Sequence, residues 1–215
     1  MLLFLLQFFF LVSSLAGAAA DVESRTLQVA YSSSPKTLRV AALCVTPSNA
    51  AGTPTGDQAT PVLLLHGASF NAHTWMELGT LSALSGLVLE TRTQEPGMPR
   101  NVCAVDIPST LTASGDFIVG ILDALAWKTA FLVAPSASGR LLWPFLLSEA
   151  SYRRVAGVVS VAAVGFDAYA ERLGMSSAAG STPVLLVWGE RCVFMRMDVT
   201  FHASLTHDVL MQGQS

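Results

Sequence analysis

Short, uninterrupted apolar runs recur along most of the chain and alternate with stretches of helical spacing. The runs cover residues 61–65, 101–105, 130–133, 155–164 and 183–188. A continuous run of four to eight apolar residues is typical of a strand buried on both faces. Between the runs, apolar residues recur every three or four positions, which predicts helices over residues 71–85, 115–127, 141–147 and 166–173. This alternation predicts right-handed βα units and a mostly parallel sheet in a three-layer α/β domain.

The pattern changes near both ends of the chain. Residues 27–31 and 38–45 alternate apolar and polar positions, and turn-forming residues lie between them, so we expect a hairpin there. Residues 197–205 and 208–211 predict one more helix and one more strand. Because no repeat or low-complexity linker divides the chain, we expect residues 21–215 to form a single domain.

The first twenty residues carry no charge and are dominated by Leu and Phe, and small residues fill positions 16–20. This pattern predicts a secretory signal peptide that is cleaved just before Asp21. A retained signal-anchor is the alternative, because the run is almost long enough to span a bilayer. Either way we expect a protein of the secretory pathway, secreted or membrane-anchored, with possible membrane association through residues 1–20.

Composition excludes several classes of function. Of 215 residues, 52% are apolar and 13% are charged. The net charge is -3 and the sequence contains no run of basic residues, so we expect no nucleic-acid partner. The histidines are scattered and no C-x-x-C spacing, phosphate loop or dinucleotide fingerprint is present, so we expect no metal and no cofactor. An oxidising compartment would permit one disulfide, but Cys44 and Cys103 lie in apolar runs and are interpreted as small buried hydrophobic residues.

The stretch 131–140 has the pattern of a nucleophile elbow. An apolar strand leads into Ser136, a helical run follows it, and small residues, Ala134 and Ser138, lie two positions away on each side. This is a relaxed form of G-x-S-x-G, in which a sharp strand-to-helix turn lifts the serine hydroxyl clear of the sheet. The alternative interpretation is a serine N-cap on an ordinary βα unit.

Further landmarks extend the pattern. His66-Gly67 follows the predicted strand 61–65, Asp106 follows the predicted strand 101–105, and Gly189 follows the predicted strand 183–188. With them, the chain resembles the α/β hydrolases, and more narrowly the abhydrolase-domain-14 group. The resemblance extends over about residues 61–213. The residues that match the group are 62–67, 73–75, 78–81, 134–139, 144–146 and 182–183.

The resemblance implies roles for three residues. Ser136 matches the nucleophile, and the backbone N–H groups of Ala68 and Ala137 match the oxyanion hole that stabilises a tetrahedral intermediate. His66 is not a base in this group, and we expect it to pack beneath the oxyanion turn.

The chain departs from the group at the acid and the base. Cys192 occupies the place of the acid, with Glu190 or Asp198 near enough in sequence to substitute, and no histidine follows residue 211. His202 and His207 precede the last predicted strand and are interpreted as surface residues. We therefore expect an α/β-hydrolase fold that is C-terminally incomplete, truncated before the histidine loop and the last helix.

Two functions from different classes remain. The first is a serine hydrolase or acyltransferase acting on an ester, thioester or amide of a small-molecule acyl substrate, through an acyl-enzyme on Ser136. The alternative is a catalytically inactive α/β-hydrolase-fold binding protein, favoured by Cys192 and by the absence of the histidine loop. A third possibility, a membrane-anchored interaction protein, depends only on residues 1–20. The pattern predicts neither a specific substrate nor an oligomeric state.

Sequencing the N-terminus of the mature protein tests the leader. We expect a start near Asp21, because signal peptidase cleaves after small residues such as those at positions 16–20. A mature chain that begins at Met1 and partitions with membranes would contradict cleavage and favour the anchor.

Overall fold

The computed structural model describes residues 21–31, 37–46, 59–86, 100–109, 111, 114–175 and 182–188. Residues 1–20, the helix and strand predicted over 197–211, and the positions Cys192, His202 and His207 lie outside these ranges. The expected C-terminal incompleteness concerns the same undescribed segment and stays a prediction.

The strands of the described residues form one sheet in the order β1-β2-β4-β3-β5-β6-β7. The pairs β1–β2 and β2–β4 are antiparallel, and β4, β3, β5, β6 and β7 are parallel to one another. The predicted hairpin and the mostly parallel sheet are therefore confirmed. The strands are β1 Val22–Val29, β2 Leu38–Val45, β3 Ala59–Leu64, β4 Arg100–Val105, β5 Ala130–Pro135, β6 Val155–Val161 and β7 Val184–Val187.

Helices cover both faces of this sheet. Because successive strand residues point to opposite faces, Leu63 and Leu64 belong to different apolar clusters. Leu63 packs in the cluster that holds Phe117 and Phe145, and Leu64 in the cluster that holds Trp75. This confirms the three-layer architecture. The helices are α1 Ala72–Glu77, α2 Thr80–Gly86, α3 Asp116–Ala124, α4 Gly139–Leu147, α5 Glu149–Tyr152 and α6 Ala170–Met175, with 3₁₀ turns at Ser136–Ser138 and Phe166–Ala168.

The single helix predicted over residues 71–85 is wrong, because the structure divides it into α1 and α2. Gly79 lies between them with φ 71°, a left-handed conformation that ends a helix and that glycine adopts without steric cost. The apolar spacing of Trp75 and Leu81 continues across the break, so both side chains are buried on the same side of the sheet. Spacing alone did not reveal the interruption.

Helix α3 ends earlier than predicted, at Ala124, in a Schellman arrangement. The N–H of Trp127 donates to the Leu122 carbonyl at 2.8 Å, and the N–H of Ala126 donates to the Asp123 carbonyl at 3.0 Å. Ala126 takes the left-handed position of this motif with φ 56°. None of the helices formed by the described residues is long and apolar enough to cross a membrane.

The interpretation of Cys44 and Cys103 as unlinked hydrophobic residues is wrong, although both are buried. They form a disulfide with a Cα–Cα distance of 4.1 Å. The reason is their register, since Cys44 on β2 lies directly opposite Cys103 on β4 in an antiparallel pair. The disulfide joins the N-terminal hairpin to the parallel part of the sheet.

Removal of this disulfide should lower stability substantially. The two cysteines are separated by 59 positions, and a closed loop of that length restricts the unfolded chain enough to contribute about 4 kcal/mol in the chain-entropy model. We expect the Cys44→Ala/Cys103→Ala variant to lose about that much free energy of unfolding in urea, and reduced wild-type protein to lose a similar amount. In denaturant without reductant, thiol alkylation should modify one cysteine, and modification of all three would contradict the disulfide.

Candidate active site

The carboxyl ends of the parallel strands meet at one edge of the sheet, where α/β folds place their functional groups. His66 follows β3, Asp106 follows β4, Ser136 follows β5 and Trp188 follows β7. His66, Asp106 and Ser136 are landmarks that the sequence singled out, and Trp188 directly precedes the landmark Gly189. The topology brings these strand ends to the same edge because β4, β3, β5, β6 and β7 run in parallel.

Ser136 occupies a sharp turn between β5 and α4. Its φ is 49°, a left-handed conformation that is uncommon for a residue with a side chain. Pro135 before it is still extended, and the 3₁₀ turn Ser136–Ser138 leads directly into α4. Pro135 and Ser138 are the N-cap residues of these two helical segments, so Ser136 caps neither of them. The alternative of an ordinary serine N-cap does not describe this geometry.

Small residues surround the turn, as the elbow pattern requires. Ala134 and Ser138 are fully buried, and the Ser138 hydroxyl donates to the Pro135 carbonyl at 2.7 Å. On the facing loop, a Cβ added to Gly67 would lie 3.2 Å from the Ser136 Cβ and 3.7 Å from its Oγ. Glycine therefore lets the loop after β3 approach Ser136 closely.

The loop after β3 forms a turn beside Ser136, in which the N–H of Phe70 donates to the Gly67 carbonyl at 3.1 Å. Ala68 lies exposed within this turn, and Ala137 directly follows Ser136. The backbone N–H groups of Ala68 and Ala137 make no hydrogen bond to another residue in the described part of the chain. Both amides are therefore without an acceptor among the described residues.

His66 supports this turn through both nitrogens of its ring. Its Nε2 accepts the N–H of Ile107 at 2.8 Å, so Nδ1 carries the proton and donates to the Gly67 carbonyl at 2.8 Å. The side chain is only 9% exposed. With no free nitrogen, His66 cannot accept a proton from Ser136, and it packs beneath the turn as the sequence predicted.

Two further residues hold the loop in place, and the sequence reading missed both roles. The Asp106 carboxylate accepts the N–H of Ala72 at 2.7 Å in the first turn of α1, where negative charge is favourable. The indole N–H of Trp75 donates to the Leu65 carbonyl at 2.9 Å. Asp106 was recognisable only as a landmark after a strand, and Trp75 carried no signal beyond its apolar spacing.

The acid position Cys192 and its possible substitutes Glu190 and Asp198 lie beyond residue 188, outside the described residues. The same holds for His202 and His207, which the sequence analysis interprets as surface residues. Within the ranges that the structure describes, no group of three or more His, Cys, Asp or Glu side chains could hold a metal ion. The geometry at hand therefore consists of one serine hydroxyl and two backbone amides.

The chain is similar in sequence to two proteins of the ABHD14 group. ABHD14A of Rattus norvegicus is 33% identical over 130 residues, which make up 60% of this chain and 51% of ABHD14A. ABHD14B of Rattus norvegicus, described as a "putative protein-lysine deacylase", is 34% identical over 132 residues, 60% of each protein. No protein-family model matches the sequence. The chain resembles the ABHD14 proteins, but it spans only about half to three-fifths of their length.

A solved structure shows the architecture. The predicted CIB-like hydrolase of Thermoplasma acidophilum superposes with a TM-score of 0.59 and 18% sequence identity, covering 80% of this chain and 75% of that protein. The fold is that of an α/β hydrolase. In this α/β-hydrolase fold, the turn at Ser136 lies at the carboxyl edge of the sheet and the loop containing Ala68 faces it.

The left-handed backbone at Ser136 should be measurable as a stability difference. A residue with a Cβ costs about 1–2 kcal/mol in this conformation, whereas glycine adopts it freely and loses part of that advantage to its greater unfolded-state entropy. We expect Ser136→Gly to be more stable than Ser136→Ala by about 1 kcal/mol in urea denaturation.

The matched control is Ser24, which is exposed on strand β1. There Ser24→Gly should be less stable than Ser24→Ala, since glycine weakens an extended strand. If Ser136→Gly were also less stable than Ser136→Ala, Ser136 would not be left-handed.

Proposed function

We propose that this protein is a serine hydrolase or acyltransferase that acts on an ester, thioester or amide of a small acyl substrate. The observation that carries the proposal is the left-handed turn of Ser136 between β5 and α4, next to Gly67. Such a turn exposes a serine hydroxyl at the top of an α/β-hydrolase sheet.

In the proposed reaction, the Ser136 Oγ attacks the substrate carbonyl carbon and forms a new C–O bond. The carbonyl oxygen becomes an oxyanion, which the N–H groups of Ala68 and Ala137 stabilise as hydrogen-bond donors. The general base that accepted the Ser136 proton returns it to the leaving group as the tetrahedral intermediate collapses, which breaks the bond to that group and leaves an acyl-enzyme on Ser136. Water or another acceptor then takes the acyl group and restores the hydroxyl.

Each oxyanion donor is worth about 3 kcal/mol of barrier in enzymes of this chemistry, so two free amides make a substantial contribution. The serine still needs a proton acceptor within hydrogen-bond reach. His66 is excluded from that role because Ile107 and Gly67 occupy both of its nitrogens. The acceptor is assigned to no described residue.

The relatives support the same class of reaction. Deacylation of lysine, the activity in the description of ABHD14B, cleaves an amide and transfers an acyl group. We extend to this chain only the acyl-transfer class, because residues 87–99 and those beyond residue 188 lie outside the described residues. The identity of the acyl group is left open for that reason.

A second candidate is a binding protein that uses the same edge of the sheet without catalysis. The specific observation in its favour is Cys192, which replaces the carboxylate expected to orient the base. In this case Ser136 and the free amides of Ala68 and Ala137 would bind a small ligand with a carbonyl or anionic group.

We also propose that the chain enters the secretory pathway. Residues 1–20 have the pattern of a signal peptide, and the disulfide between Cys44 and Cys103 is of a kind that persists in oxidising compartments. These two observations are independent of each other, one coming from the leader and one from the pairing of β2 with β4.

A fluorophosphonate probe tests the catalytic proposal. An activated serine attacks its phosphorus and expels fluoride, so we expect a single adduct on the peptide that contains Ser136, detected by mass spectrometry. Ser136→Ala should abolish the adduct.

The matched control is Ser24→Ala, which removes an exposed hydroxyl from strand β1 and should leave labelling unchanged. Absence of the adduct in folded wild-type protein, or an adduct on a different serine, would contradict the acyl-enzyme and favour the binding protein.

A further inference from the structure

The segment that follows β6 folds back over the turn at Ser136. Ala162 and Gly165 both have left-handed backbones, with φ of 48° and 82°. The N–H of Ala162 donates to the Val187 carbonyl at 2.7 Å, which ties the start of the segment to β7. The reversal brings Val164 to the elbow, where its N–H donates to the Ser136 carbonyl at 2.9 Å.

Trp143 on α4 binds the carbonyl group of Val164. Its indole N–H donates to the Val164 carbonyl at 2.9 Å, and the side chain is only 1% exposed. The ring also packs edge-on against Phe166, with centroids 5.1 Å apart. Val164 is therefore bonded through its amide to Ser136 and through its carbonyl to Trp143.

The first turn of α4 and the segment at Val164 are in close contact. A Cβ added to Gly139, at the first turn of α4, would lie 2.9 Å from the Val164 nitrogen and 3.0 Å from Trp143 Nε1. Real side chains do not make contacts as short as the first of these, so the helix and the returning segment touch backbone to backbone. The position of Val164 relative to Ser136 is consequently set by Trp143 and Gly139.

We propose that Trp143 is a positioning residue for Ser136, acting through Val164 to hold the serine in its left-handed conformation. The inference rests on the proposed function, because it concerns the reactivity of the Ser136 hydroxyl. Trp143 does not touch the reacting atoms, and its effect passes through two hydrogen bonds.

The physical reason is the strain at Ser136. A non-glycine residue remains left-handed only where its surroundings compensate the steric cost, which is comparable in size to the net contribution of a buried hydrogen bond. The Ser138 hydroxyl on the Pro135 carbonyl and the Val164 amide on the Ser136 carbonyl provide two such bonds. Releasing Val164 removes one of them and allows the serine backbone to relax, which turns Oγ away from the attack geometry.

The test replaces only the donor. In 3-benzothienylalanine a sulfur takes the place of the indole N–H at nearly constant shape. The genetically encoded variant Trp143→Phe removes the donor together with part of the buried ring. For both proteins we expect the maximal rate of fluorophosphonate labelling of Ser136 to fall by about tenfold, as for loss of one hydrogen bond that orients a nucleophile. The concentration for half-maximal labelling should stay unchanged, since probe binding is not altered.

Trp127→Phe is the matched control, because Trp127 is a partly buried tryptophan next to the amino end of β5, away from the elbow. It should leave the maximal labelling rate at the wild-type value. All rates are measured below the onset of unfolding of each variant, so a loss of stability does not change them.

Hydrogen exchange of the Val164 amide gives a second reading that does not depend on reactivity. We expect exchange at Val164 to accelerate about tenfold in the Trp143 variants and not in Trp127→Phe. Wild-type labelling rates together with wild-type exchange at Val164 would overturn the inference. A wild-type protein that is not labelled at Ser136 contradicts the proposed function instead, and the exchange at Val164 then decides whether Trp143 holds the elbow.

Discussion

The site depends on one strained backbone conformation, the left-handed turn of Ser136 at the end of β5. A serine keeps this conformation only if contacts with its neighbours give the other backbone conformations a higher free energy. The carbonyls of Pro135 and Ser136 both accept hydrogen bonds, from Ser138 and from Val164. On the open side Gly67 approaches without a side chain. These main-chain hydrogen bonds and this close approach fix the position of the Ser136 hydroxyl. The packing of α4 in the core holds the residues that make them.

Polar groups near the serine are mostly occupied in supporting the backbone. His66 joins the loop after β3 to Ile107, and Asp106 binds the first turn of α1. Both side chains are hydrogen-bonded to backbone groups of neighbouring segments, so their role in the described structure is to hold those segments together. In the proposed reaction, the Ser136 hydroxyl and the backbone amides of Ala68 and Ala137 are the groups that meet the substrate. That set suits electrostatic stabilisation of an oxyanion more than proton transfer.

Local features of the sequence predicted the sheet and the elbow well, because both depend on the residues themselves. Valine and leucine runs predict buried strands wherever they occur, and small residues on both sides of Ser136 predict a tight turn. The break at Gly79 was missed, since a glycine in a helical pattern is tolerated more often than it ends the helix. Trp143 was missed as well, because its partner Val164 is brought to it only by the reversal after β6.

The disulfide was missed for a related reason, and its position ties the N-terminal hairpin to the site. Cys44 and Cys103 become neighbours only when β2 pairs with β4, and nothing local to either cysteine indicates that pairing. Beyond the disulfide, the N–H of Asp106 donates to the Ala41 carbonyl at 2.9 Å, so β2 also contacts the segment that follows β4. The Asp106 carboxylate in turn holds α1, whose first residue comes directly after the loop that faces Ser136. The antiparallel hairpin is therefore connected to the loop that faces Ser136 through a short chain of covalent and hydrogen bonds, which brace that loop.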